Sequence, residues 1–261
     1  MSVDTRLITK LRELTGAGIN DCKAALEEAE NNINKAVEVL RKKGAVKAAK
    51  KAERATKEGV IAFSRQGNRV AVVGLACETD FVARTGDFIK TVSDFANKLL
   101  DTKEEEFKKW AEEWIKNELV VKISENIQLV FAEVVEGEVL GTYLHSNKKI
   151  ASVVVLAGGT EELATELAMQ AAAMSPKYIK PEDVDPAELK REKDIYKEQL
   201  KTEGKPEAMW DKIIAGKVNK YYQEVCLIKQ PFIKDDKISV EKFIEQSGSG
   251  IEIVKIARYK I

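Results

Sequence analysis

The feature that most limits the fold of this chain is an internal repeat. Residues 59–77, GVIAFSRQGNRVAVVGLAC, lie over residues 139–157, VLGTYLHSNKKIASVVVLA, at an offset of 80, which sets Phe63 on Tyr143, Arg65 on His145 and Val70 on Ile150. Each copy reads as strand, polar turn, strand. The second strand of each is almost wholly apolar, as expected of a strand covered on both faces. Each then runs into apolar residues at helical spacing, Asp87 to Leu100 in the first copy and Thr160 to Met174 in the second. The pattern predicts an α+β fold with two related subdomains, each a small antiparallel sheet backed by a helix.

Ahead of the repeat, apolar residues recur in three short helical blocks: Leu7, Leu11 and Leu14; Cys22, Ala25, Leu26 and Ala29; Ile33, Ala36, Val37 and Leu40. Thr15-Gly16-Ala17-Gly18 ends the first helix, Asn20 is placed to cap the second and Gly44 to end the third. Residues 1–54 therefore read as a three-helix module with a basic linker, 55–138 as the first subdomain and 139–261 as the second. A charged, Trp-bearing helix from Lys103 to Asn117 and a strand region from Ile127 to Glu136 separate the copies. Residues 186–225 read as a helical hairpin inserted in the second subdomain, hinged at Gly204-Lys205-Pro206, with a stripe from Met209 to Tyr222 that either packs on its own domain or meets another chain. A Ser239 cap opens a short helix, and a strand from Ile251 to Tyr259 closes the chain.

Acidic and basic residues balance at 43 each, so the overall field favours neither nucleic acid nor an anionic membrane, and no apolar run approaches the length of a membrane span. The N-terminus shows no secretory pattern, and three unpaired cysteines fit a reducing, cytoplasmic setting. Residues 41–57 concentrate eight basic residues with one acid, which reads as a solvated linking helix or as a local contact with RNA or the ribosome.

A single histidine, His145, removes any mechanism based on a histidine pair or a His-rich metal centre. No phosphate-loop motif occurs, and the carboxylates are scattered beside lysines. The expectation is a protein without enzymatic activity, metal or cofactor.

One stretch fits none of this. Between the first apolar strand and its helix stands C77-E-T-D-F-V-A-R-T-G-D-F88, with Phe81 and Val82 where turn residues belong. At the offset of 80, Thr79, Asp80, Phe81 and Val82 fall on Gly159, Thr160, Glu161 and Glu162, so the scaffold does not require the aromatic. Phe81 either folds back to staple the following helix or is an exposed anchor for a partner's pocket, worth roughly 2 kcal/mol or more if fully buried there.

LRELTGAGINDCKAALEEA with LRKKG, then ACETDFVAR, ENIQL, AAMSPKYIKPEDV and QPFIKDD stand in the order found in the elongation factor Ts family, and over essentially its whole length the chain resembles that family. The resemblance implies a guanine-nucleotide exchange factor for the GTPase elongation factor Tu, with no membrane or direct nucleic-acid partner and a possible homodimer or 2:2 complex. It makes residues 1–54 a module like the ubiquitin-associated (UBA) domain, touching the partner through Leu11, Thr15, Gly16, Ala17 and Gly18. It makes Thr79, Asp80, Phe81, Val82 and Arg84 the exchange wedge, with Ile127 and His145 as further contacts. The chain departs from the family where Ile19-Asn20 replaces methionines, Ser146-Asn147 a glycine turn and Gln170 a second histidine.

Overall fold

In the computed structural model, which describes residues 3–261 apart from the side chains at 45 and 47–50, both hairpins expected from the repeat form, and in one register. Strand β1 (Glu58–Gln66) pairs antiparallel with β2 (Arg69–Cys77), Gly59 opposite Ala76; Val139 of a second hairpin faces Leu156, each partner displaced by 80. A fixed register follows from burial, because a slip of one residue would turn every core side chain to the other face. Strand β2 is buried from Val70 to Cys77, as its unbroken apolar run requires.

The fold is α+β and divides into two units, one holding the chain to Val135 with Ser146–Lys149 and Lys260–Ile261, the other Glu136–His145 and Ile150–Tyr259. The first opens with helices α1 (Thr5–Thr15), α2 (Ile19–Glu28) and α3 (Ile33–Lys51), packed around Leu11, Cys22, Leu26 and Leu40. After β1 and β2 come a single turn α4 (Asp80–Ala83), helix α5 (Gly86–Leu100), α6 (Glu104–Trp114), a π turn (Ile115–Leu119), α7 (Val120–Ile123) and β3 (Gln128–Glu136). The sheet runs β1-β2-β3. Its core sets Val73 and Leu75 against Phe88, Val92, Phe95 and Phe107. Trp110 and Trp114 close on Phe95 with ring centroids 4.9 and 5.3 Å away.

Three local expectations give way in this unit. Asn20 does not cap α2; Gly18 occupies the cap, without a side-chain bond, and Asp21 supplies the negative charge that a helix N-terminus favours. Gly44 does not end α3, which runs on to Lys51. A Cβ at Gly44 would stand 2.2 Å from Val121 Cγ2, so the glycine is there for close approach to α7 and not as a terminator. The Trp-bearing helix does not stop at Asn117, because the π turn adds a residue and brings Leu119 and Val120 onto the buried side with Phe107, Ala111 and Ile115.

The second unit holds β4 (Val139–Leu144), β5 (Ile150–Ala157), α8 (Glu161–Met174), the hairpin α9 (Pro186–Thr202) and α10 (Trp210–Val225), the short pair β6 (Pro231–Phe232) and β7 (Asp235–Ser239), α11 (Val240–Ser247) and β8 (Glu252–Lys260). Its sheet runs β4-β5-β8. Leu163 and Leu167 of α8 meet Val154 and Leu156 in the core. Gln170, fully buried, donates to Gln230 Oε1 (3.2 Å) and the Pro231 carbonyl (3.1 Å) and accepts from the Ile233 amide (2.9 Å), so it holds the β6 segment in place.

The helical hairpin buries Leu200 against Ile214 and Val218. At its root Glu188 accepts from Lys177 Nζ, the Tyr178 hydroxyl (2.8 Å) and the Tyr221 hydroxyl (2.6 Å). These three donors hold its carboxyl down at about 2, the lysine contributing most. The three cysteines, Cys22, Cys77 and Cys226, are all buried and free. Among the described residues no helix is long and apolar enough to cross a membrane.

Candidate functional site

The step from strand to helix is where the two copies differ, and the caps show by how much. Thr85 is the N-cap of α5 and accepts from the Phe88 amide (3.3 Å); Thr160 is the N-cap of α8 and accepts from the Leu163 amide (3.2 Å). Eight positions separate Cys77 from Thr85, but only three separate Ala157 from Thr160. The first copy therefore carries five more residues at this junction. Past it the copies align at an offset of 75, which sets Phe88, Val92, Phe95 and Ala96 on Leu163, Leu167, Gln170 and Ala171, all buried. The constant offset of 80 holds for the strands and fails at the junction, and Phe81 has no counterpart at all in the second copy.

The extra residues form α4. Thr79 caps it, its hydroxyl accepting from the Val82 amide (3.4 Å), so the first copy has a capping threonine on either side of the turn. Ala83 is buried and Val82 packs in part on the core, which seats one face of the turn. The other face carries Asp80 and Phe81. Phe81 is 82% exposed, the most exposed large apolar side chain among the described residues. It does not fold back as a staple. Arg84 reaches Asp80 at 3.1 Å across the turn.

Beneath the turn, the Cys77 thiol donates to the Thr79 carbonyl (3.3 Å). Burial pushes this thiol up to about 12, with the charges of Glu125 and Glu58 adding to the shift, so it stays neutral and serves as a donor. Asp80, Phe81 and Arg84 border a cleft of about 810 Å³ in the first unit, together with Lys57, Glu58 and the Ser146–Lys149 turn. Lys149 pairs with Glu58 there, and the Ile61 amide donates to the Lys148 carbonyl (2.8 Å), so the Ser146–Lys149 turn is tied to β1.

The remaining candidates are placed as follows. Gly16 ends α1 at φ 67°, and the Thr15 hydroxyl donates to the Leu11 carbonyl (2.7 Å) while accepting from the Ala17 amide (3.3 Å). Leu11 and Ala17 are fully buried; the apolar surface flanking the Thr15–Gly18 turn comes from Leu14 (63% exposed) and Ile19 (56%). Ile127 is also a core residue, packed with β2, α5 and α6 side chains. His145 directly follows β4 in the second unit, exposed, its amide donating to the Ile150 carbonyl (2.9 Å) and its ring edge-on to Tyr143.

Helical spacing groups Leu14 with Leu7 and Leu11, and no chemical motif in the sequence singles out the polar pair Glu125-Asn126 beside Ile127. Glu125 accepts from the amides of Glu78 and Thr79 at the start of α4, and the one sequence signal for it is its place in the ENIQL stretch. Part of the basic stretch 41–57 is engaged internally: Arg41 pairs with Glu118 (2.7 Å), Lys43 with Glu28 (2.7 Å), and Lys51 donates to the Ser124 carbonyl. The side chains at 45 and 47–50 of that stretch lie outside the described residues.

Comparison with known proteins finds one family. The family model described as elongation factor TS matches residues 78–261, starting one residue before the first capping threonine. Among curated proteins, an elongation factor Ts of Hahella chejuensis is 37% identical over all of this chain and 92% of its own length. One of a Hydrogenobaculum species is 42% identical over all of this chain and 99% of its own.

Proposed function

From the premise that the chain belongs to the elongation factor Ts family of translation elongation factors, we propose that it is the guanine-nucleotide exchange factor of an elongation factor Tu-type GTPase. The observation that carries this reading is Phe81, an aromatic held in water at the tip of a turn the fold does not need. An exposed phenyl ring forgoes roughly 2 kcal/mol of burial, a cost that is recovered when a partner's pocket receives it. Asp80 beside it offers a carboxylate that Arg84 keeps oriented.

Nucleotide affinity in such a GTPase rests on backbone amides around the phosphates and on a Mg²⁺ ion that demands near-ideal octahedral geometry. A wedge that shifts a helix of the partner spoils that geometry without touching the phosphates. Exchange is then negative coupling between two ligands: the factor weakens the nucleotide, and incoming nucleotide weakens the factor by the same ratio and expels it. The chain works by binding and makes or breaks no covalent bond. On this reading the Thr15–Gly18 turn, with Leu14 and Ile19 beside it, docks the N-terminal UBA-like module on the GTPase, and His145 contributes a contact from the second unit. Leu11, Ala17 and Ile127 act from inside as supports.

Stopped-flow release of fluorescent GDP from purified elongation factor Tu tests the proposal. Acceleration that saturates with factor is expected, with added GTP completing the exchange and releasing the factor; release at the spontaneous rate would end it.

A further inference from the structure

A four-residue helix cannot hold itself, since one turn fixes several dihedrals for a single hydrogen bond. The aim of Phe81 is therefore set from below. The carboxylate of Glu125, 45 residues further along the chain than Asp80, lies at the base of the turn. Its Oε2 accepts from the amides of Glu78 (3.0 Å) and Thr79 (3.1 Å), and its Oε1 from the Thr79 hydroxyl (2.6 Å). Three donors on one ionised carboxylate form charge-assisted bonds, the strong class in proteins.

Glu125 is itself fixed by its neighbour. The Asn126 amide donates to Glu78 Oε1 (2.6 Å), and the Asn126 side chain, 5% exposed, donates to the carbonyls of Arg54 (2.8 Å) and Ala52 (3.3 Å). Arg54 closes the ring on Glu78 at 3.4 Å. The start of the turn is thus bolted at Glu78 and Thr79 to the 124–128 loop and, through it, to the end of the linker. Phe81 lies two residues past the last bolt and has almost no packing of its own.

We propose that Glu125 is a positioning residue for exchange: by gripping both backbone amides and the hydroxyl at residues 78–79, it presets the Asp80–Phe81 turn in the geometry that enters the partner. The role rests on the reading of that turn as the exchange element. Preorganisation of this kind shows in the insertion step and not in the first encounter, because the ordering cost is otherwise met when the wedge goes in. Glu125→Gln keeps the geometry, since the amide oxygen can accept the two backbone N–H groups and the amide nitrogen can donate to the Thr79 hydroxyl. Glu125→Ala removes all three bonds.

The test measures GDP release against factor concentration for wild type, Glu125→Ala, Glu125→Gln and Phe81→Ala, with hydrogen–deuterium exchange on each factor alone. Glu125→Ala is expected to lower the maximal release rate about tenfold while the half-saturating concentration stays within about twofold. It is also expected to speed amide exchange across residues 78–84 but not in β2. Glu125→Gln is expected within about twofold of wild type in both kinetic terms. Should Glu125→Ala fail to fold, Thr79→Val, which keeps the carboxylate and removes one of its donors together with the cap on the Val82 amide, carries the same prediction in smaller measure, with Thr79→Ser, which restores both, as its rescue.

A maximal rate unchanged in Glu125→Ala while Phe81→Ala is slow overturns the role and leaves the exchange reading intact. Glu125→Gln as slow as the alanine variant overturns it too, because charge and not hydrogen-bond geometry would then be at work. A wild-type chain that leaves GDP release unaccelerated removes the exchange reading and this role with it.

Discussion

The two junctions between sheet and helix are built on one plan and put to different ends. In the second copy, Gly158 and Gly159 (φ 74° and 83°) turn the chain within two residues, and Thr160 opens α8 at once. In the first, seven residues from Glu78 to Arg84 intervene before Thr85 opens α5, and they carry Asp80 and Phe81 into water. Strands, register and capping threonines are shared. What separates the copies is therefore a localised addition to a scaffold that is complete without it, the pattern expected where a segment is kept for what it binds.

The severest way to break the contrast is to remove it. Replacing Glu78–Arg84 by Gly-Gly, which gives the first copy the second copy's junction, is expected to leave a cooperative thermal transition in place. Acceleration of GDP release should fall by about 100-fold or more, a loss of about 2.7 kcal/mol in the stopped-flow assay. Phe81→Ala is the narrower cut: release slows at least about tenfold, while urea melts place stability within about 1 kcal/mol of wild type, because the ring contributes almost nothing to the folded core. A stability loss of several kcal/mol would return Phe81 to the core and collapse the distinction.

The caps test what the copies share. Thr85→Ala and Thr160→Ala should each cost about 1 kcal/mol in denaturant melts, and Thr160→Ala should leave the release rate at saturating factor unchanged. The smallest effect belongs to the hairpin root, which only the second copy has. Glu188 is held at about 2 against an ordinary value of 4.5, so its contribution is fully present above about pH 4.5 and is lost as pH falls toward 2. Protection of the α9 amides relative to their intrinsic exchange rates should fall over that window, and Glu188→Gln should flatten the dependence.

The scaffold was legible in the sequence because its signals are local and periodic: alternating and unbroken apolar runs for the strands, helical spacing behind them, and a constant offset between copies. The insertion was not, since a fixed offset cannot register a change in length. Threonines at 79, 85 and 160 also give two equally good partners for one cap, and the strand alignment placed Thr160 on Asp80. Phe81 stood out through its chemistry alone. Glu125 did not, because it is one of 43 acidic residues and its partners lie 46 and 47 positions away. Gly44 shows the same limit: a glycine needed for contact with Val121 looks, along the chain, like one that ends a helix.

All three cysteine side chains are buried, and burial raises each thiol, Cys77 to about 12, Cys226 to about 11, and Cys22 in the same direction. Since the thiolate is the reacting species, these thiols are expected to react slowly with thiol reagents at neutral pH. A single cysteine introduced at an exposed position away from the proposed docking surface, such as Ile195, would take a fluorophore selectively. One introduced site then suffices to follow its encounters a molecule at a time.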